Sequence, residues 1–435
     1  MAGLGVAYYA RKSGLPFTLY DAAPFIGGNC ITFRQGDFLF DSGAHRLHDR
    51  DAEVTREIRT QLKGKLIRVS APSQIYHKGK MINFPLSPFD LSKNIGPGAT
   101  LRGVLDILRI KLNGNAHKVN FRDFALARYG KEIATTFLLN YSEKLWGLSA
   151  EMLSPEIAGK RLQGLDLRTF IIEPFLGKKA KANHLEGHSF FYPRGGIGAI
   201  PKAIARYCGN ECFHLGFHIS RVISENGRIT ALGINGCGTI DTRAHHVVST
   251  LPLSQFVQMM EPSPPSDVLE NARSLRFRNL VLAALFLKRD RITSNATIYF
   301  PESHFGFTRL YEPRNREISM SPPGKTSLIA EFPCQGDDEI WGMDDELIIR
   351  TLTSYLRDLG WINRSDVIGC AVKRLKDAYP ILEVGYQDKV ENIGDYLRRF
   401  SNLTSCGRNG GFEYSWIHDM MLTGERVVKK CIAGA

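Results

Sequence analysis

The groups in this chain best suited to chemistry are two glycine clusters, an acidic strand end, a histidine beside one of those clusters and a scatter of arginines. Gly3-Leu4-Gly5-Val6-Ala7-Tyr8-Tyr9-Ala10-Arg11-Lys12 places small and apolar residues at helical spacing. Gly14 stands where a helix C-cap glycine belongs, and Pro16 lies just beyond it. Phe17-Thr18-Leu19-Tyr20 then reads as a short buried strand ending on Asp21. A carboxylate at such a strand tip accepts hydrogen bonds from ribose hydroxyls, and its distance from Gly3 fits the roughly 20-residue spacing of a dinucleotide fingerprint. A plain helix–strand pair fits these residues equally. Pro24-Phe25-Ile26-Gly27-Gly28-Asn29 and Phe40-Asp41-Ser42-Gly43-Ala44-His45 follow. Paired glycines let the backbone pass close to a cofactor, and they also serve as simple loop turns.

The elements that must hold these groups are legible in outline. Apolar residues at three- and four-residue intervals predict helices over Leu101–Leu112, Phe121–Tyr129, Ile133–Tyr141 and Asp345–Leu359. Alternation predicts strands over Phe213–Val222 and Leu280–Leu287, a turn at Glu225-Asn226-Gly227, and further strands at His246–Pro252 and Leu403–Arg408. A helix is expected from Met421 onward.

Composition sets the bounds. At 435 residues the chain exceeds one typical core, so two or three domains are expected. It is 43% hydrophobic and 23% charged, with no low-complexity tract. Apolar runs such as Leu280–Leu287 fall far short of the ~20 residues of a membrane span, and no secretory leader is visible, so a cytoplasmic protein is expected. The net charge of +12 is spread along the chain. Spread charge suits an anionic small molecule or surface, and no nucleic-acid-binding signature accompanies it. Eight cysteines without paired spacing are read as free thiols. Cys208, Cys212, His214 and His218 tempt a metal reading, but they fall on a strand-like segment and no metal site is expected.

A dinucleotide fingerprint ordinarily has a strand and two glycines ahead of its third glycine, whereas only Met1 and Ala2 precede Gly3. The missing strand would lie mid-sheet, next to the strand ending at Asp21, and its absence leaves unpaired backbone edges. The expectation is that the natural protein begins upstream or is a degraded copy.

Taken with three further stretches, these motifs resemble the FAD-dependent superfamily of amine oxidases, protoporphyrinogen oxidases and UDP-galactopyranose mutases. The stretches are Tyr141-Ser142-Glu143-Lys144-Leu145-Trp146-Gly147, Tyr192-Pro193-Arg194-Gly195-Gly196-Ile197-Gly198 and Cys406-Gly407-Arg408. Gly-Gly-Asn and Gly-Ala-His look most like the mutases, since an amine oxidase usually carries arginine at the place of Asn29. The resemblance implies an α/β fold: a discontinuous, Rossmann-like (GR2-type) FAD-binding domain from 1–75, 190–252 and 390–435, with an α+β substrate domain from 76–189 and 253–389. It implies FAD contacts from Gly3, Asp21, Gly27, Gly28, Asn29, Gly43, Ala44, His45, Ile219, Gly407, Arg408, Asp419 and Met420. His45, Trp146 and Tyr379 are expected near the flavin, as pocket walls rather than acid–base groups.

Two chemistries follow from the resemblance. In an oxidoreductase the flavin N5 accepts a hydride from a small-molecule substrate. In a non-redox sugar mutase, arginines must clamp the diphosphate of an anionic nucleotide sugar, and Arg161, Arg168 and Arg194 are the candidates. Each is also explicable as a solvated surface residue. Trp416-Ile417-His418 departs from the mutases' usual closing run. A flavin-free pseudoenzyme is the third reading.

Overall fold

The computed structural model describes residues 1–84, 119–161, 189–236 and 238–433, together with 86, 92–94, 96, 98, 101–103 and 105–106. Most of the helix expected over Leu101–Leu112 therefore lies outside the described residues, as does Arg168.

The largest element is a seven-stranded sheet in the order Val367–Pro380, Phe277–Leu287, Thr326–Cys334, Arg309–Tyr311, Thr297–Tyr299, Ser73–His77, Lys80–Phe84. Its pairings are antiparallel except that between Thr297–Tyr299 and Ser73–His77. Phe277–Leu287 is buried at every position after its first. Such an unbroken apolar strand requires cover on both faces. Val281, Ala283 and Leu285 pack with Ile348, Leu352 and Leu356 of the helix Asp345–Asp358. Leu280, Leu282, Ala284 and Phe286 face the other way, onto Phe38 and Phe40. Because the side-chain period is two, the register assigns each residue to one of these cores.

The α/β half is assembled from short parallel pairs. Leu19–Asp21 pairs with Phe213–Leu215, and Val247–Ser249 pairs with Leu403–Ser405. Among the described residues these two pairs are not hydrogen-bonded to each other, and a cavity runs between them, touching Leu19, Asp21, Val247 and Ser249. The helix Ala2–Lys12 flanks them, ending at Ser13 before Gly14, as its sequence predicts.

Several boundaries differ from expectation. Phe213–Val222 is two strands, because the chain turns at Gly216 and Ile219–Glu225 joins a separate four-stranded sheet. The final helix spans Ile417–Ala433, starting a full turn before Met421 and taking Asp419 and Met420 into its first turn. The Asp419 carboxylate reaches back to the Trp416 N–H (2.8 Å), which satisfies a free donor at the helix start and extends the helix towards its N-terminus. Ser73–His77 straddles the expected domain boundary at residue 75.

The helices Ala2–Lys12 and Ile417–Ala433 pack backbone against backbone. A Cβ on Gly5 would lie 2.7 Å from the Met420 carbonyl oxygen, and one on Gly424 would lie 2.2 Å from the carbonyl carbon of Gly5. Two glycines thus bring the helix backbones into direct contact, whereas Gly3 has ordinary space around it. Gly424→Ala is expected to force the helices apart and cost about 1–3 kcal/mol or more of stability. The denaturant midpoint would fall accordingly, and an unchanged midpoint would refute this account of the contact.

Candidate active site

The cavity between the parallel pairs continues to the large sheet and measures about 1710 Å³. That exceeds the roughly 300–1,000 Å³ of an ordinary ligand site and leaves room for a dinucleotide and a second molecule. Its walls come from distant parts of the chain. Gly3, Asp21, Gly27, Gly28, Asn29, Gly43, Ala44 and His45 line it from the N-terminal region. Ile219, Gly407, Arg408 and Met420 line it from later segments. Asp419 does not: its carboxylate caps the helix. Tyr379 is on the wall, and Trp146 stands behind it, edge-on to Tyr379 (6.1 Å) and Tyr414 (6.4 Å).

Of the three arginine candidates, Arg194 alone has a described side chain. Arg194 is exposed in a turn, off the cavity wall, with its backbone N–H bonded to the Lys65 carbonyl. Arg161 ends the 3-10 segment Pro155–Arg161, and its side chain lies outside the described residues. Cys208 is buried, with its thiol pushed up to about 12 by that burial. His214 stacks on Tyr20 (4.9 Å), and the described residues contain no cluster of three or more metal-ligating side chains.

The loop carrying His45 is fixed from two sides. Ser42 Oγ donates to the Asn29 carbonyl (2.7 Å) and lies 3.0 Å from His45 Nε2, which joins the two glycine motifs. The Ala44 N–H donates to Glu331 Oε1 (2.7 Å) on the large sheet, and Glu331 Oε2 is bonded by Arg309 (2.5 Å). Both members of that ion pair are buried. Burial opposes the charge on Arg309, but Glu331 beside it holds its pKa well above the ordinary value. Arg309 also reaches the Tyr379 hydroxyl (3.3 Å), and the Tyr379 ring stacks with Tyr414 (6.0 Å, 15° between planes). The Arg408 guanidinium lies over both rings and gives its N–H groups to the carbonyls of Ser415 and Ala378. Arg408 is thus engaged in fixing the aromatic wall, a role its Gly-Arg motif did not suggest.

Glu331, Arg309 and Tyr414 were missed as site residues. A signal existed for the first: Glu331 is the lone charge in Thr326-Ser327-Leu328-Ile329-Ala330-Glu331-Phe332-Pro333-Cys334, and a buried carboxylate requires a partner. Nothing in the sequence identified Arg309 as that partner.

The cavity suits FAD on structural grounds. At Gly28 (φ +56°) an added Cβ would meet nothing within 4 Å, so the backbone faces open space. At Gly407 (φ +88°) a Cβ would lie 2.6 Å from that of Ala2, so only glycine brings this strand end against the helix start. Ser249 Oγ and Asn409 Oδ1 are buried on the cavity wall without a protein partner. Burial of that kind is costly unless a ligand or water completes the bonding. Two helix N-termini, at Ala2 and Ile417, also approach the cavity, a position that favours anionic groups.

Comparison with known proteins agrees with this geometry. The model of the flavin containing amine oxidoreductase family matches residues 1–428, and the chain belongs to that family. Protoporphyrinogen oxidase 1, chloroplastic, of Spinacia oleracea is 22% identical over 347 residues, covering 72% of this chain and 60% of that protein. The zeta-carotene-forming phytoene desaturase of Myxococcus xanthus is 21% identical over 195 residues, or 40% of this chain and 37% of that one. The chain thus spans less than two thirds of the length of either curated relative. Among solved structures, reduced UDP-galactopyranose mutase aligns with a TM-score of 0.82 at 17% identity, covering 100% of this chain and 94% of that one. Cyclohexylamine oxidase of Brevibacterium oxydans aligns at 0.68 and 12% identity, covering 99% and 96%. The α/β FAD-binding fold expected from the sequence is the fold of these neighbours. No helix among the described residues is long and apolar enough to cross a membrane.

Two tests follow from the geometry. Glu331→Gln leaves Arg309 buried without its countercharge and is expected to cost about 3–5 kcal/mol, far more than replacing both partners with apolar residues. Chemical denaturation of the single and double variants measures the difference. His45 is buried close to Arg408, Arg316 and Arg309; burial first and those charges second lower its pKa to about 3. Between that value and its ordinary value near 6.5, the unfolded chain takes up a proton that the folded chain refuses, so stability falls as pH drops through this window. His45→Gln is expected to flatten the acid limb of Tm against pH there and leave the limb above pH 7 unchanged.

Proposed function

We propose that this protein is an FAD-dependent oxidoreductase acting on a small molecule. The observation that carries the reading is the cavity itself. Backbone from the Gly3, Gly27–Asn29, Gly43–His45 and Gly407 segments lines one end, and aromatic side chains line the other. On this reading residues 1–75, 190–252 and 390–435 hold FAD, and 76–189 and 253–389 hold the substrate. The Asp21 carboxylate keeps Oδ1 on its own loop, at the Ala23 N–H (2.9 Å), and would offer Oδ2 to the ribose. Ser249 and Asn409 would find in the cofactor the partners they otherwise lack.

Bound FAD supplies the redox chemistry by accepting a hydride from the substrate. The protein's own contribution is position and polarity. His45, held neutral at physiological pH, presents an uncharged polar ring and does not act as a proton carrier there. Tyr379 and Tyr414 form a rigid aromatic wall, locked by Arg309 on one side and Arg408 on the other. Walls fixed in this way orient a substrate without reorganising as it reacts.

A nucleotide-sugar mutase would require arginines converging on a diphosphate. Of the candidates for that role, Arg194 stands off the cavity wall and gives the reading no support.

The test is spectroscopic. The purified chain supplied with FAD should show the visible bands of bound flavin, and Gly407→Val should lose them while Arg194→Ala retains them. Retention of flavin by Gly407→Val would remove the basis for this placement. Turnover only after prior reduction, with no oxidant consumed, would replace the oxidoreductase with a mutase.

A further inference from the structure

Among the described residues, Lys63, Lys78, Asn226, Asp377 and Phe412 hold a positive φ although they are not glycine. Lys63, Lys78 and Asn226 each stand directly before a glycine in a tight turn, where left-handed backbone closes the turn. Asp377 (φ +51°) is different: it lies inside the strand Val367–Pro380, on the cavity wall, two residues before Tyr379. Phe412 (φ +49°) stands two residues before Tyr414, the ring that stacks with Tyr379. Both tyrosines face the ring-walled chamber at one end of the cavity. Left-handed backbone in a residue with a side chain costs free energy and persists only where its surroundings over-determine it.

The surroundings of Asp377 do so. Its N–H donates to Asn279 Oδ1 (2.9 Å), its carbonyl accepts from Asn409 Nδ2 (2.9 Å), and its Oδ2 accepts from Gln255 Nε2 (2.9 Å). The consequence is a change of register. Leu375 pairs with Leu280 but Tyr379 pairs with Arg278, so Lys376, Asp377 and Ala378 together stand opposite Asn279. A regular ladder would instead carry Tyr379 two residues on, to a place opposite Arg276, which is about 7 Å along an antiparallel strand. Two extra residues are an even number, so Tyr379 keeps its face of the sheet and only its place along the strand changes. A slip of that size exceeds the 6.0 Å between the Tyr379 and Tyr414 centroids, and it would part the Tyr379 hydroxyl from Arg309 (3.3 Å). Tyr414 is fixed separately. The Phe412 ring is buried edge-on to Phe277 (5.2 Å), and the Glu413 N–H donates to the Arg408 carbonyl (2.9 Å).

We infer that Asp377 is a positioning residue: its left-handed backbone holds the bulge that sets Tyr379 against Tyr414 in the cavity wall. The inference rests on the oxidoreductase reading for what that wall does, whereas the place of the ring is independent of bound FAD.

The experiment uses the full chain with its tyrosines replaced by 3-fluorotyrosine. It reads the fluorine NMR resonances of Tyr379 and Tyr414, identified by their loss in Tyr379→Phe and Tyr414→Phe. Asp377→Val puts a β-branched residue where positive φ is strongly disfavoured, and both resonances should leave their wild-type positions. Asp377→Gly and Asp377→Asn tolerate positive φ and should keep both resonances in place, although glycine gives up the bond from Gln255 and asparagine gives up the charge. Asn279→Ala removes the acceptor of the Asp377 N–H and should also displace the Tyr379 resonance, which decides the matter if Asp377→Val does not fold. Unmoved resonances in Asp377→Val, or in Asn279→Ala where the valine variant is unfolded, would overturn the inference, even if the thermal midpoint fell. Equal displacement in Asp377→Gly and Asp377→Val would also overturn it, because the side chain rather than the backbone would then be responsible. Flavin absorbance after addition of FAD to the wild type tests the other reading. Displaced resonances without flavin bands would leave the role of Asp377 standing and remove the oxidoreductase, and flavin bands with unmoved resonances would do the reverse.

Discussion

The structure is organised around the buried carboxylate of Asp41. Its Oδ1 accepts from Thr32 Oγ1 (2.7 Å) and from the Ile197 N–H (3.0 Å), and its Oδ2 accepts from the Tyr192 hydroxyl (2.5 Å). Its backbone carbonyl accepts from the Tyr311 hydroxyl (2.6 Å) on the large sheet. Burial pushes the Asp41 pKa up, and the hydrogen bonds from Tyr192, Thr32 and Ile197 pull against that rise. A carboxylate this enclosed is tolerable only with its lone pairs occupied, so each partner must be in place for the others to be stable. Three stretches distant in sequence are thereby tied at one point, immediately before the Gly43-Ala44-His45 segment.

This knot also explains the Tyr192-Pro193-Arg194-Gly195-Gly196-Ile197-Gly198 motif. A Cβ on Gly196 would lie 2.3 Å from Thr32 Oγ1, and one on Gly198 would lie 2.7 Å from the Thr32 nitrogen. The glycines let the turn lie flat on the Thr32–Asp41 hairpin, while Arg194 projects outward. The motif is part of the frame that positions the cavity wall. From there the constraint passes to the Glu331–Arg309 pair, which bonds the Ala44 N–H on one side and the Tyr379 hydroxyl on the other. The same buried pair therefore sets the spacing between the Gly43–His45 loop and the tyrosine wall. Low dielectric makes such a network rigid when complete and costly when broken.

The chamber and the nucleotide end obey opposite rules. At one end Gly3, Gly27, Gly28, Gly43 and Gly407 line the space and the helix starts at Ala2 and Ile417 approach it, a setting that favours anionic groups. At the other end rings and aliphatic side chains face the space, with the Glu331–Arg309 pair and the Arg408 guanidinium beside the tyrosines. A single cavity thus joins a glycine-rich part, approached by two helix starts, to a part walled by rings.

By itself the sequence determined what depends on local spacing. Residues at helical intervals with Gly14 beyond them marked the first helix, and the motifs around Asp21, Gly27-Gly28, Gly43 and Gly407-Arg408, read through their family resemblance, marked residues that line the cavity. These signals are local because a glycine or a cap acts through its own backbone. Tertiary structure alone decided which side chains meet. The place of Glu331 opposite Arg309, the engagement of Arg408 with the tyrosine wall, and the outward position of Arg194 arise from strand register and sheet order. The division of Phe213–Val222 at Gly216 was equally hidden, because alternation continues across a turn that only pairing partners can reveal. Contacts between residues hundreds of positions apart leave no periodic trace, so the chemistry of the chamber became legible only once the fold had closed around it.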